Sequence, residues 1–139
     1  MQQDLMNNIK LVQTIAPITK TTGLSGDTTE GTGVDTAGYE SCTFHFNIGA
    51  AVDTSDADYK LQESADNITF TDVASTDIIG SDTILSLTNT TGANATLKKG
   101  YIGTKRYVRA YLTITTGGSG SWPHAVTVIL GHARKAPVA

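Results

Sequence analysis

From Tyr107 to Thr115 the chain alternates between apolar and polar positions without a break. Val108, Ala110, Leu112 and Ile114 fall on one side of an extended backbone. Tyr107, Arg109, Tyr111, Thr113 and Thr115 fall on the other. A period of two over that length predicts a β-strand with one buried face. The segment Glu40–Ile48 has the same pattern, with Cys42, Phe44, Phe46 and Ile48 opposed to Ser41, Thr43, His45 and Asn47. A third run, Ala125–Leu130, puts Val126, Val128 and Leu130 on one face. Phe44, Phe46, Val108, Leu112, Val126 and Val128 are therefore the expected core between two sheets.

Weaker signals complete the outline. Ile9–Ile18 reads as a first strand, and Pro17 marks an edge or an end because proline cannot donate a ladder hydrogen bond. Residues 21–33 read as a loop rich in turn formers, followed by a short strand at Val34–Asp35 and a turn at Gly38. Tyr59–Glu63 and Thr69–Val73 form an expected hairpin joined by residues 64–67, closed by Ile78, Ile79 and Gly80. Thr83–Thr88 is a further strand, and a loop follows at residues 89–94. Gly100 opens a turn that carries Lys105 and Arg106 into the long strand. Some eight short strands without a sustained helical period predict an all-β fold: an antiparallel, jelly-roll-like β-sandwich. The connections are too short for parallel crossovers. The expected organisation is a flexible N-terminal arm at 1–8, one β-sandwich domain at 9–132, and a C-terminal extension at 133–139.

Composition narrows the function. A chain of 139 residues can bury a core as one domain. Charged residues make up 17% of it, below the usual quarter, and Thr, Ser, Gly and Asn take their place. A net charge of −3 argues against a nucleic-acid partner, which calls for a strongly basic surface. No apolar run approaches the ~18 residues of a membrane span, and residues 1–10 lack the features of a signal peptide. Cys42 is the sole cysteine, which fits synthesis in a reducing host cytoplasm.

Candidate chemistry is sparse. Asp53, Asp56 and Asp58 are expected to crowd one polar connection, residues 49–58. Lys60 interrupts the spacing that a calcium loop needs. His45, His124 and His132 are far apart for a zinc site. No metal or cofactor is expected. There is no nucleophile elbow. Gly31-Thr32-Gly33 and residues 117–120 lack the helix or Gly-Lys-Ser/Thr of a phosphate loop, and read as flexible turns. The chain is not expected to be an enzyme. The acceptor-like triplets at Asn67, Asn89 and Asn94 read as turn sequences.

Charge is unevenly spread, with acidic residues from Asp53 to Asp82 and basic ones from Lys98 to Lys135. The polar face of the long strand mixes aromatics with a cation, a composition suited to protein contact. The expected partner surface is Lys105, Arg106, Arg109, Tyr111, Trp122, His132 and Arg134. Pairing of the same charges within one subunit is the alternative. A carbohydrate-binding adhesion module is a further alternative, with Trp122 and Tyr101 or Tyr111 stacking on a sugar.

The segments YKLQESADNITFTDV (59–73), GYIGTKRYVRAYLTI (100–114) and VILGHARKAPV (128–138) together resemble small virion proteins of tailed bacteriophages. The resemblance runs from about Ile9 to Val138. It is strongest over Gly100–Ile114, with Gly131-His132 and Pro137-Val138. It is to capsid decoration (cement), minor capsid and head-spike proteins of HK97-type phages. It implies a subunit that oligomerises, as a homotrimer, on the outside of the head, with the major capsid protein as partner. A head–tail joining or tail protein is the other structural role it allows.

Overall fold

A computed structural model describes residues 5–21, 26–51, 56–80, 83–88, 90–116 and 120–135. Its strands are β1 (Lys10–Thr21), β2 (Thr28–Glu30), β3 (Val34–Asp35), β4 (Tyr39–Ile48), β5 (Asp56–Ser64), β6 (Thr71–Asp72), β7 (Ile78–Ile79), β8 (Ile84–Leu87), β9 (Thr96–Tyr101), β10 (Tyr107–Thr116) and β11 (Ser121–Ala133). One sheet has the order β1-β11-β4-β9-β7. The other has β2-β10-β5-β6, with β3 also on β10 and β8 also on β5. All pairings are antiparallel.

The frame is one long two-stranded ribbon folded over on itself. β4 runs against β11, with Phe46 opposite Val126. β5 runs against β10, with Tyr59 opposite Leu112. β4 and β5 are consecutive, as are β10 and β11, yet the members of each pair lie in opposite sheets. This nesting is the jelly-roll-like feature of the sandwich, and it faces the apolar sides of the four longest-range strands toward one another. Phe44, Phe46, Val108, Leu112, Val126 and Val128 are all 0% exposed, so the period-two reading put the right faces inward. Phe46 meets the Tyr59 ring edge-on at 5.2 Å, which locks the two sheets in register at that level.

The fold has eleven strands among the described residues rather than eight, and tertiary pairing supplies the extra ones. β2 lies inside the expected loop because it finds free ladder groups on β10. β9 was hidden by Lys98-Lys99-Gly100, which reads as a turn, but β4 and β7 pair it on both sides. Ile78-Ile79 does not close the β5–β6 hairpin; it crosses to the other sheet as β7. Asp56 and Asp58 belong to β5 and not to a loop, so the expected acidic crowding does not form between them and a connection; Asp53 is outside the described residues. His45 and His124 face opposite sides of the same sheet, so the three histidines do not converge.

β11 starts at Ser121, four residues before its expected start, and carries Pro123 between two neighbours. The missing donor is replaced locally. The Gly49 N–H donates to the Pro123 carbonyl at 2.8 Å, and the Gly49 carbonyl accepts instead from Asn94 N–H at 2.8 Å. Asn94 reaches it from a left-handed conformation, φ 55°. Pro17 does sit on an edge strand, beside two register shifts in β1. Residues 5–8 of the expected arm form a short 3₁₀ turn at Met6–Asn8, and the expected C-terminal extension begins as strand, with Ala133 opposite Tyr39. Residues 1–4 and 136–139 lie outside the described residues.

Gly31-Thr32-Gly33 is a tight crossing, not a flexible turn. The Gly31 N–H donates to Ala110 O at 2.8 Å and the Thr32 N–H to Thr14 O at 2.7 Å. A Cβ on Gly31 would collide with Thr14 Oγ1 and Ala110 O, so only glycine fits there.

Candidate interaction surface

The outer face of β10 holds four of the expected site residues on or next to it, Lys105, Arg106, Arg109 and Tyr111, and the two arginines are already paired within the subunit. Arg106 makes a two-pronged contact with Asp35, at 2.9 and 2.8 Å. Its guanidinium hydrogen bond holds the Asp35 carboxyl below the usual range, a little against the opposing effect of burial. Arg109 donates to Gln62 Oε1 and to Glu30 Oε2, each at 2.9 Å, and lies 4.2 Å over the Phe70 ring. Asp72 accepts from Gln62 and from Lys60, and those bonds lower its carboxyl as well, Gln62 contributing most. Glu30, Arg109, Gln62, Asp72 and Lys60 thus form a continuous ladder. Tyr111, opposite Lys60 and Glu30, is half-buried within it. Lys105 is exposed on a turn fixed by Tyr101, whose hydroxyl donates to Glu63 at 2.6 Å and accepts from Lys105 N–H at 3.0 Å. Lys60 pairs with Asp72 inside the acidic middle, while Arg106 and Arg109 of the basic end pair with Asp35 and Glu30, which precede that middle. That outcome pairs the two arginines of the expected surface and leaves its Lys105 exposed. Such exposed pairs contribute little stability each, but they remove the unpaired charge that would recruit an acidic partner.

Trp122 is not a surface residue. It is 0% exposed and its indole Nε1–H donates to the Tyr59 hydroxyl at 2.8 Å. Tyr101 is buried too. Neither ring can stack on a sugar, which leaves the adhesion reading with half-buried Tyr111 alone of its three aromatics. The apolar positions around Trp122 on the strand made it core, and the lone tryptophan gave no sequence sign of which.

His132 and Arg134 come together elsewhere, at the end of β11. His132 bulges out with φ 51°, and its Nδ1 shares a 2.9 Å hydrogen bond with Ser41 Oγ. Arg134 reaches Glu40 at 3.4 Å. These residues border a groove of about 840 Å³ whose apolar walls are Leu5, Ile9 and Ile129. A second hollow, of about 290 Å³, shares Glu40, Ser41 and Thr43 with it and continues to Ile79 and Ile102.

Both hollows lie on the outer face of the β1-β11-β4-β9-β7 sheet, which sequence reasoning passed over. Its outward positions on β11 are Pro123, Ala125, Thr127 and Ile129, and on β4 they are Ser41, Thr43, His45 and Asn47. β9 adds Thr96, Lys98 and Gly100. Lys98 is the one Lys, Arg, Asp or Glu among these positions. On the same face Leu11 is 61%, Ile79 58% and Ile102 58% exposed. Charge depletion with exposed aliphatic groups is the composition of the centre of a protein interface. Its sequence signal was the non-core half of 41–47 and 123–129, which holds small and uncharged residues where a solvated strand carries Lys or Glu.

No protein-family model matches the chain, and no curated protein matches it in sequence. Among solved structures it is similar to the crystal structure of the PBSX exported protein XepA, with a TM-score of 0.57 and 14% identity. The match covers 100% of this chain and 42% of that one, so the chain spans less than half of that protein's length. At this identity the likeness shows the fold.

Proposed function

We propose that the protein is a structural virion component of a tailed bacteriophage that coats the outside of the head as a decoration or minor capsid protein. The single observation behind this reading is the charge-poor outer face of the β1-β11-β4-β9-β7 sheet, where Lys98 and the Glu40–Arg134 pair at one end carry charge and Leu11, Ile79 and Ile102 are exposed. A solitary soluble domain carries charge on such a face, as the opposite sheet does; a subunit that works by assembly covers it. The major capsid protein and further copies of the chain are the proposed partners. Assembly of this kind calls for neither cofactor nor catalytic group. The choice of phage particles over other assemblies comes from the sequence resemblance of residues 59–73, 100–114 and 128–138 to virion proteins of tailed bacteriophages; the likeness to the PBSX exported protein XepA bears on the fold.

The test is co-sedimentation of the purified protein with undecorated heads, with tails, and with neither. Saturable binding to heads supports the decoration role. Binding to tails alone transfers the protein to the joining or tail role, and binding to neither overturns the reading.

A further inference from the structure

We propose that two copies of the chain pack face to face through this sheet, about a two-fold axis that runs along β4 at Thr43. The inference shares with the proposed function only the choice of contact face; it does not depend on the head as destination. One row of the sheet crosses all five strands: Leu11 pairs with Ile129, Ile129 with Thr43, Thr43 with Gly100, and Gly100 with Ile79. The row is self-complementary about its middle. A two-fold axis in the plane of the contact and parallel to β4 turns the row end for end. Leu11 of one copy then meets Ile79 of the other, Thr43 meets its own counterpart, and Ile129 meets Gly100.

Shape agrees with that exchange. Ile129 is a side chain standing on the face, and Gly100 has none. The hollow of about 290 Å³ beside Gly100, bordered by Ser41, Thr43, Ile79 and Ile102, is where the Ile129 of the second copy enters. The next row repeats the relation, with Gly131 on one side of Ser41 and the exposed Ile102 on the other. Charge agrees as well. Lys98 is opposite His45 in the sheet and His45 opposite Thr127, so the same rotation sets Lys98 over Thr127 of the partner copy, not over a second lysine. Isologous contacts need this kind of reciprocal match. β1, β11 and β4 are 12, 13 and 10 residues long but β9 and β7 only 6 and 2. At about 3.3 Å per residue and about 4.8 Å per strand the sheet face is at most roughly 700 Å² per copy, and the rotation overlaps part of it. That is an interface below the ~800 Å² per partner of a standard complex and of the size of a concentration-dependent pair. The geometry therefore favours a two-fold pair over the trimer that the phage resemblance implies.

Two experiments on the full chain test this. In analytical ultracentrifugation over a concentration series, the wild type should sediment at twice the 14.6 kDa of one chain. Thr43→Arg places two like charges at the axis and should weaken the pair at least about 100-fold, with its circular dichroism unchanged. For the second test, sheets stacked about 10 Å apart are beyond disulfide reach, so a short bismaleimide is the probe. In a Cys42→Ala background, Leu11→Cys mixed with Ile79→Cys should cross-link, and neither should cross-link alone. Both positions are exposed, so this arm stands even if Thr43→Arg unfolds. A monomer at every concentration, a trimer, or cross-linking of Leu11→Cys to itself overturns the axis. A monomer that still binds heads would sink the pair and leave the proposed function intact; a pair that binds no particle would do the reverse.

Discussion

The indole of Trp122 on β11 and the hydroxyl of Tyr59 on β5 form a 2.8 Å hydrogen bond across the interior of the sandwich. Both side chains are fully buried, at 0% and 1% exposure. The bond ties the two halves of the folded ribbon together where the ribbon turns over. It is a polar contact in an apolar layer, so each partner satisfies a group that water cannot reach.

Tyr59→Phe should therefore cost about 1–3 kcal/mol, because it leaves the indole N–H buried without an acceptor. Urea unfolding of Tyr59→Phe, of Trp122→Phe and of the double variant checks it. The double variant should lose clearly less than the two single losses added, since removing both partners leaves no orphan group. Strict additivity would mean that the bond does not hold the layers together.

Thr14 joins the sheets at a second point. Its Oγ1 accepts from Ala110 N–H at 3.1 Å and donates to Thr32 O at 2.9 Å. Thr14→Val keeps the shape and removes both bonds, leaving a buried backbone N–H on β10 unpaired. A loss of about 1–3 kcal/mol in denaturant unfolding is expected, while Thr14→Ser should retain most of the stability. Equal losses for Val and Ser would point to packing of the methyl group instead.

Stability should fall on mild acidification because of His124. The side chain is 4% exposed, its Nε2 has no hydrogen-bond partner, and Nδ1 lies 3.1 Å from Trp122 O. Burial, with a smaller contribution from the Lys20 charge, holds the imidazole below its ordinary value. The unfolded chain thus takes up a proton near pH ~6.5 that the folded chain refuses, so the stabilisation is complete above that pH and declines below it. Thermal unfolding between pH 7.5 and 5 should show this slope in the wild type and a flatter one in His124→Phe. The lowered carboxyls act later: Asp66, held down to about 2 by the backbone N–H groups of Thr69 and Ile68, loses its part only in strong acid.

Surface variants should separate the two faces. Arg109→Ala removes bonds to Glu30 and Gln62 and a ring contact with Phe70. It should lower stability by roughly 1 kcal/mol, in line with a half-exposed network, and leave particle binding unchanged. Ile129→Asp, on the other face, should leave the unfolding midpoint within a few degrees and dissociate the pair of copies in sedimentation. A pair lost in Arg109→Ala and kept in Ile129→Asp would return the contact surface to β10.

Alternation along the chain sets the class of the fold and the inward faces of its main strands. Alternation alone turned Phe44, Phe46, Val108, Leu112, Val126 and Val128 inward, because a one-residue slip would expose every one of them. What it could not carry was anything that depends on a partner strand. β7 and β9 are short and contain glycine or lysine, and they are strands because neighbours complete their hydrogen bonds. The fate of each charge was equally out of reach. Arg109 and Glu30 are 79 positions apart in sequence yet share a 2.9 Å bond, so only the folded ribbon decides that the basic face is neutralised. The same folding brings Leu11, Ile129, Thr43, Gly100 and Ile79, scattered over five strands, into one row. An interface made of side chains from distant segments has no local period to announce it; the sheet order creates it.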